Sequence, residues 1–187
     1  MPQRLALVTG ASRGLGAAIA EELASQGWHV VALARTVGGL EDLDDRVKAK
    51  AQSGAGSLTL APMDITNDDA MRHLCLSIHN RWGQLDLWAH AAVHAPPLAP
   101  AGQMDPKDWE RSVAVNTRAT GVLIPMIDPL LRAAPRGTAL FFDDPRAGGK
   151  FFGSYGATKA AQTALARSWA TETARTGPRV LIEIPAP

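Results

Sequence analysis

The chain has 187 residues, 46% of them hydrophobic and 20% charged, which predicts one globular domain with a core large enough to fold without disulfide bonds. Its 19 basic and 18 acidic residues leave a formal charge of +1, a balance that argues against nucleic acid as a partner. The single cysteine, Cys75, excludes a disulfide framework, and with no signal-peptide pattern and no apolar run of about 20 residues we expect a cytoplasmic protein without a membrane partner.

Short apolar runs alternate with longer amphipathic stretches along the whole chain. The apolar runs predict strands at 5–9, 29–34, 57–63, 85–92, 138–142 and 179–184. The amphipathic stretches predict helices at 15–27, 40–52, 68–82, 106–133 and 152–174. Pro125 and Pro129 are expected to kink the fourth helix or end it early. This alternation predicts a doubly wound, mostly parallel α/β sheet with helices on both faces, a Rossmann-like three-layer αβα domain over residues 1–187.

The first strand runs directly into the glycine-rich turn TGASRGLG at residues 9–16. Glycine lets the backbone approach a pyrophosphate closely, and the start of the next helix offers free N–H groups and a positive dipole end. Because a strand precedes the turn and a helix follows it, we predict a dinucleotide site here. The predicted cofactor contacts in this turn are Gly10, Ser12, Arg13, Gly14, Leu15 and Gly16.

The stretch YGATK places Tyr155, the only tyrosine of the chain, one helical turn before Lys159. A packing tyrosine with a lysine nearby by chance is the simpler explanation. A functional explanation is that the ammonium favours the phenolate and lowers the pKa of the phenol, which would turn it into a proton donor and acceptor at neutral pH.

These two motifs, T-G-x-x-x-G-x-G and Y-x-x-x-K, lie about 140 residues apart, and in this order they resemble those of the short-chain dehydrogenase/reductase family. The resemblance covers essentially the whole chain. It implies hydride transfer between a nicotinamide cofactor and a small alcohol or carbonyl compound, with Tyr155 as general acid and base and also as a contact of the cofactor. It also implies that Lys159 bonds the nicotinamide ribose, that Asn116 supports a water-linked proton path behind the lysine, and that the protein is a homodimer or homotetramer. Asn116 could instead bond only its own helix backbone.

The same resemblance assigns Asp64, in the sequence MDITN after the third strand, to the adenine of the cofactor, with Ile65 beside it. The alternative is that this stretch only begins the next helix, with Thr66 or Asn67 as the capping residue.

The end of the second strand decides between NAD and NADP in such folds. An acidic residue there would bind the adenosine ribose and repel a 2′-phosphate, but this chain has Arg35 at that place and Arg13 in the glycine turn. Two guanidinium groups could hold a 2′-phosphate by charge-assisted hydrogen bonds, so we predict NADP rather than NAD. The alternative is that both are solvated surface arginines.

The chain departs from the family where a serine is expected before the tyrosine. Asp143 and Asp144 stand there instead, and we assign Asp144 to the catalytic set. An ionised carboxylate 4 Å from a developing alkoxide would repel it by about 4 kcal/mol at an effective dielectric constant of 20. The aspartate could be protonated, could point away, or could serve a cationic or hydroxyl-bearing substrate.

Two further departures concern the fourth strand and the end of the chain. His90 begins HAAV where the family has N-N-A-G, which predicts a structural or cofactor-adjacent histidine. The last residues, IEIPAP, carry Ala186 where the family has glycine, and we expect a substrate-binding segment beyond them that this chain lacks or does not include. A cofactor-binding scaffold or redox sensor with little turnover is therefore the second function considered. No metal site is predicted.

Overall fold

Six strands form one sheet in the computed structural model, which describes residues 3–51 and 54–185. The strands are β1 Leu5–Thr9, β2 His29–Ala34, β3 Ser57–Pro62, β4 Leu87–His90, β5 Thr138–Phe142 and β6 Arg179–Glu183. Their spatial order is β3-β2-β1-β4-β5-β6, and every neighbouring pair is parallel. The predicted doubly wound parallel sheet is confirmed.

Helices connect the strands and cover both faces of the sheet. They are α1 Gly14–Ser25, α2 Val37–Lys50, α3 Asp68–Trp82, α4 Pro106–Ser112, α5 Ala119–Ala133 and α6 Gly153–Thr173. A short 3₁₀ turn lies at Ala101–Gln103. Most predicted bounds agree within about two residues, although α2 begins three residues earlier than predicted. The predicted end of that helix at Gln52, and the family-motif position Ala186, lie outside the described residues.

The expectation that prolines end the fourth predicted helix early is wrong. Pro125 and Pro129 lie inside α5, which continues to Ala133. Both prolines are on the exposed side of the helix, whereas Leu123 and Ile127 on the other side are fully buried. Packing of that apolar side supplies most of the stability of such a helix, so the hydrogen bonds lost at the prolines do not stop it.

Two apolar cores, one on each face of the sheet, hold the three layers together. The larger core joins the sheet to α3, α5 and α6 and contains Trp88, Phe141 and Trp169. The smaller core packs α1 and α2 against the other face, where Ala17 and Ala20 of α1 are buried. Small side chains allow α1 to lie close to the sheet, and this brings its first turn against the end of β1.

The long predicted helix at 106–133 is continuous, but its middle is not an ordinary α-helix. Residues Val113–Arg118 between α4 and α5 form a π-helical stretch. Such a stretch contains an extra residue per turn, so some of its carbonyl groups accept bonds from outside the helix, and it is frequent at functional sites. Asn116 lies within it and is fully buried.

Replacing Gly16 with alanine is expected to lower the free energy of unfolding by about 1–3 kcal/mol, because overpacking of this size must move the backbone. A Cβ atom at Gly16 would lie 2.2 Å from the carbonyl oxygen of Gly10. Urea denaturation measures the change. Gly38→Ala in α2 is the matched control, since a Cβ there meets no atom within 4 Å. Equal unfolding midpoints for the two variants would contradict the close packing of the turn.

Candidate active site

The turn after β1 lies where the strand order of the sheet reverses. β1 pairs with β2 on one side and with β4 on the other, and crevices that bind ligands in parallel sheets form at this point, beyond the carboxyl ends of the strands. The N–H groups of Gly10 and Ala11 both bond the carbonyl oxygen of Leu33, at 2.8 and 3.0 Å. Gly10 has φ +75°, and a Cβ there would lie 2.7 Å from the backbone of Ala92. Only glycine fits this position.

The first turn of α1 offers its N–H groups to a ligand. Arg13, the residue before the helix, has an extended backbone, and its side chain does not cap α1. The first turn contains no acidic residue either. Free N–H groups and an uncompensated positive dipole end are the features that bind phosphate at a helix start.

Arg13 and Arg35 follow the adjacent strands β1 and β2, and both side chains are exposed. Within residues 3–51 and 54–185, neither guanidinium forms an ion pair. The start of α2 packs against the glycine turn, because a Cβ at Gly39 would lie 2.9 Å from Cβ of Ser12. The turn and the end of β2 therefore form one continuous surface with two unpaired cations.

Asp64 follows β3 at the same edge of the sheet. Its Oδ1 accepts bonds from N and Oγ1 of Thr66, at 2.9 and 2.7 Å, and its Oδ2 accepts a bond from Nη2 of Arg111 at 2.7 Å. Burial alone would raise the pKa of Asp64, but these bonds outweigh it and lower the pKa to about 2. The side chain of Asn67, rather than that of Thr66, caps the start of α3, so the helix does not use Asp64 as its cap. Ile65 is buried beside it, and the adenine contact of both residues stays a prediction.

Tyr155, in the first turn of α6, donates its hydroxyl proton to Oδ2 of Asp144 at 2.9 Å. Asp144 lies two residues beyond β5 and is itself held by Arg146. Its Oδ1 accepts bonds from N and Nε of Arg146, at 2.9 and 3.0 Å, and its Oδ2 accepts one from Nη2 at 2.9 Å. A carboxylate paired with a guanidinium therefore occupies the place where the family has a serine hydroxyl.

This arrangement decides the charge states of both groups. The hydrogen bonds from Arg146 hold the pKa of Asp144 below its usual range in spite of partial burial. Burial, and then the hydrogen bond to Asp144 and its negative charge, raise the pKa of Tyr155 to about 12. Two of the three possibilities for Asp144 are thus wrong, since it is neither protonated nor turned away from the tyrosine.

The expected effect of Lys159 on Tyr155 is also wrong for this structure. The ammonium of Lys159 donates to the carbonyl oxygen of Phe142 at 2.5 Å and to Oε1 of Gln162 at 2.7 Å, and no bond to Tyr155 is found among the residues described. Asp144 is therefore the charged group in direct contact with the phenol, and it raises the pKa that a cation would lower. Burial lowers the pKa of Lys159 itself, while Asp143 and Asp144 partly offset this.

The side chain of Asn116 joins the loop after β4 to α6. Its Oδ1 accepts a bond from N of His94 at 2.7 Å, and its Nδ2 donates to the carbonyl oxygen of His94 at 2.8 Å and to Oγ1 of Thr158 at 2.9 Å. The alternative that this asparagine bonds only its own helix backbone is wrong. Its role in a proton path stays a prediction.

His90 is buried between β1 and α5. Its Nδ1 lies 2.8 Å from Oγ1 of Thr9, and its Nε2 lies 3.1 Å from Oγ1 of Thr120. Burial, with a smaller effect from Lys159, lowers the pKa of His90 to about 3, so the ring is neutral at physiological pH. Both ring nitrogens have partners inside the protein, so only the backbone of His90 remains for the predicted cofactor contact.

Two kinds of site are absent from the part of the chain that the structure describes. No group of three or more histidine, cysteine, aspartate or glutamate side chains could hold a metal ion there. None of the helices described is long and apolar enough to cross a bilayer.

Sequence reasoning did not identify three residues that contact the predicted site residues. Arg111 pairs with Asp64, Arg146 with Asp144, and Gln162 with Lys159. Two of them carry a local signal. Gln162 lies three residues after Lys159 on the same helix, and side chains at that spacing can meet. Arg146 lies two residues after Asp144, a spacing at which an aspartate often accepts a bond from the backbone.

The chain is similar over nearly its whole length to proteins of one family. A family model described as short chain dehydrogenase matches residues 4–187. Among curated proteins, the short-chain dehydrogenase/reductase FrzI of a Cladobotryum species is 30% identical over 90% of this chain and 64% of its own length. The NADP-dependent 3-hydroxy acid dehydrogenase YdfG of Shigella flexneri is 27% identical over 83% of this chain and 61% of its own length. The chain thus spans less than two thirds of each of these two relatives.

Solved structures show the same likeness in three dimensions. A metagenomic short-chain oxidoreductase in complex with NADP has a TM-score of 0.86 and 29% sequence identity with this chain. That alignment covers 98% of this chain and 82% of the other.

Proposed function

The chain belongs to the short-chain dehydrogenase/reductase family, and we propose on this premise that it transfers a hydride between a nicotinamide cofactor and a small carbonyl compound or alcohol. One observation carries the proposal. The hydroxyl of Tyr155 and the ammonium of Lys159 both bond to residues at the carboxyl end of β5, which are Asp144 and Phe142. The glycine turn lies at the carboxyl end of β1 on the same edge of the sheet. That the proton donor, the cation and the glycine turn lie on one edge of the sheet supports the proposal.

In carbonyl reduction, a bound nicotinamide would supply the hydride to the carbonyl carbon, and Tyr155 would transfer its proton, which Asp144 now accepts, to the carbonyl oxygen. A phenol with a pKa of about 12 is almost wholly protonated at pH 7, so Tyr155 holds the proton that reduction needs. The same raised pKa makes the phenol a weaker acid and leaves little phenolate for the reverse reaction. The ammonium of Lys159 contributes positive charge near the oxygen that becomes negative.

A direct test is oxidation of NADPH by a panel of ketones, aldehydes and quinones, followed by nicotinamide absorbance. We expect turnover with at least one class of carbonyl compound. Tight binding of NADPH with no oxidation by any compound would contradict the enzymatic proposal and favour the second function, a cofactor-binding scaffold or redox sensor.

We propose NADP(H) as the cofactor, with Arg13 and Arg35 holding the 2′-phosphate. Support comes from the two exposed, unpaired guanidinium groups beyond β1 and β2. The printed names of two similar proteins point the same way, since YdfG is NADP-dependent and the metagenomic oxidoreductase is in complex with NADP.

Changing Arg35 to aspartate is expected to weaken NADPH binding by about 10- to 100-fold, because a charge-assisted hydrogen bond contributes about 1.5–3 kcal/mol. Binding of NADH, which lacks the 2′-phosphate, should not weaken. Titration of nicotinamide fluorescence measures both constants. Arg175→Asp, an exposed arginine beyond the end of α6, is the matched control. Equal losses for NADPH and NADH in Arg35→Asp would contradict a phosphate contact.

We further propose a homodimer or homotetramer that acts on a small-molecule substrate in the cytoplasm. The large apolar side chain of Trp109 on α4, 40% exposed, supports an interface near the long helices, because such side chains are often covered by a partner. The compartment rests on the sequence argument from the single cysteine. Light scattering measures the oligomeric state.

A further inference from the structure

A chain of buried hydrogen bonds runs from α6 across the sheet to β1. It begins at the ammonium of Lys159, passes through Gln162 and Thr120, and continues through the ring of His90 to Thr9, the residue before the glycine turn. All five residues are at most 6% exposed. A buried polar network of this kind is stable only when its members are satisfied, and it then holds its side chains rigidly.

Gln162 is the link that holds the lysine. A lysine ammonium can only donate, so the atom of Gln162 that faces Nζ at 2.7 Å must be the carbonyl oxygen. The NH₂ group of the amide then faces the other way, where it donates to the carbonyl oxygen of Asn116 and to Oγ1 of Thr120, both at 3.1 Å. Both amide hydrogens are used, and the amide cannot turn over without losing its bonds to Lys159 and to the carbonyl oxygen of Asn116.

The acceptor on Asn116 lies in the π-helical stretch. The carbonyl oxygen of Asn116 accepts bonds from two side chains, Nε2 of Gln162 and Oγ1 of Thr120. The bond from Thr120 is of the kind that a hydroxyl makes to the carbonyl group four residues earlier in a helix. The bond from Gln162 joins this stretch to α6 and helps to fix where the amide oxygen lies.

We propose that Gln162 is a positioning residue for hydride transfer: with the carbonyl oxygen of Phe142 it fixes two N–H groups of Lys159, so that the third points toward the cofactor at the carboxyl edge of the sheet. A second acceptor restricts rotation of the ammonium about its Cε–Nζ bond more than one acceptor does. Because the amide of Gln162 is neutral, it accepts this bond without compensating the positive charge of the Lys159 ammonium, as a carboxylate would. The claim about the cofactor rests on the proposed function.

Several charged or titratable groups surround the lysine. Asp143 and Asp144 lie beyond β5, and Tyr155 lies one turn earlier on α6. His90 faces it from β4 as a neutral ring. Asp143 is paired with Arg167, and Asp144 with Arg146. Neither carboxylate forms an ion pair with Lys159 in the described residues. The hydrogen-bond acceptors of its ammonium are two neutral oxygens, the carbonyl oxygen of Phe142 and Oε1 of Gln162.

The test follows the titration of Lys159 directly, in protein labelled with ¹³C at the lysine Cε, with the Lys159 signal assigned by its absence in Lys159→Arg. Gln162→Met keeps the length of the side chain but removes the strong acceptor. We expect the titration midpoint to fall by about one pH unit or more, because a hydrogen bond to a charged group is lost. Gln162→Glu keeps an acceptor and adds a negative charge, and we expect its midpoint to rise. NADPH should bind about tenfold more weakly to Gln162→Met.

A role in packing alone would lower the melting temperature of both variants without moving the titration of Lys159, and that result would overturn the proposal. A fall of the midpoint in Gln162→Met supports it, and a midpoint that does not rise in Gln162→Glu contradicts the contact. If Gln162→Met does not fold, Gln162→Leu takes its place with the same expected fall. Gln26→Met, at an exposed glutamine at the end of α1, is the control. The titration needs no turnover, so failure of hydride transfer would leave this test valid.

Discussion

Tyr155→Phe is expected to lower kcat/KM for carbonyl reduction by about 10³-fold, within the range of about 10²–10⁴ that general acid catalysis contributes. The substitution removes only the hydroxyl that would donate a proton to the substrate oxygen. Steady-state oxidation of NADPH with the best carbonyl compound of the panel measures the loss. Because the remaining ring keeps the packing of Tyr155, we expect NADPH affinity to change less than twofold.

The fold should tolerate this change. The hydroxyl of Tyr155 bonds Asp144, but that carboxylate keeps its three hydrogen bonds from Arg146 when the hydroxyl is removed. Thermal unfolding serves as the control for folding. A phenylalanine variant that retains most of its activity, with unchanged unfolding, would exclude Tyr155 as the acid and with it the mechanism proposed for this site.

Asp144→Asn is expected to speed up the reverse reaction. Oxidation of an alcohol needs the phenolate of Tyr155 as the base, so its rate rises with pH until the pKa of the tyrosine is reached. That pKa is raised to about 12, partly by the hydrogen bond and the charge of Asp144. Removing the carboxylate leaves the Arg146 cation unpaired beside the phenol, and both changes favour the phenolate. We expect oxidation at pH 8 to become about tenfold faster, which corresponds to a pKa about one unit lower.

The pH profile of kcat/KM for alcohol oxidation measures this effect, and two further variants define its origin. Arg146→Met leaves Asp144 unpaired beside the phenol, so we expect the profile to move the other way, to higher pH. Asp143→Asn is the control, because that carboxylate bonds Thr163 and Arg167 and affects Tyr155 least of the groups that shift it. Superimposable profiles for Asp144→Asn and the unmodified protein would show that the carboxylate does not govern the tyrosine.

The ion pair of Asp144 and Arg146 alters the expected effect of having aspartate where the family has a serine. A bare carboxylate at the position of the serine would oppose a developing alkoxide. Here a bidentate guanidinium compensates the charge, and the tyrosine uses one oxygen of the same carboxylate. Of the three possibilities considered for Asp144 from the sequence, one is left open, which is that it binds a cationic or hydroxyl-bearing substrate. The group that would bind such a substrate is an ion pair rather than a lone carboxylate.

The sequence by itself was sufficient for the fold. Strands β1, β2 and β5 have the predicted bounds, because each is a short apolar run that the neighbouring residues interrupt; β1 and β2 are almost wholly buried, and β5 alternates between buried and partly buried residues. Gly10 and Gly16 were assigned to a turn that approaches a pyrophosphate, and in the structure they lie too close to other backbone atoms for a side chain. The bounds of the strands depend on residues near each other in the chain, and local patterns can therefore reveal them.

Only the tertiary structure decided which groups the predicted residues contact. The spacing of Tyr155 and Lys159 gave a shared helix face, but the lysine bonds the end of β5 and Gln162, while the tyrosine bonds Asp144. Lys159 and Phe142 are 17 residues apart in the chain, and Gln162 and Asn116 are 46 apart. Contacts at such separations are set by how the elements pack and by which buried donors need an acceptor, and no local spacing encodes either.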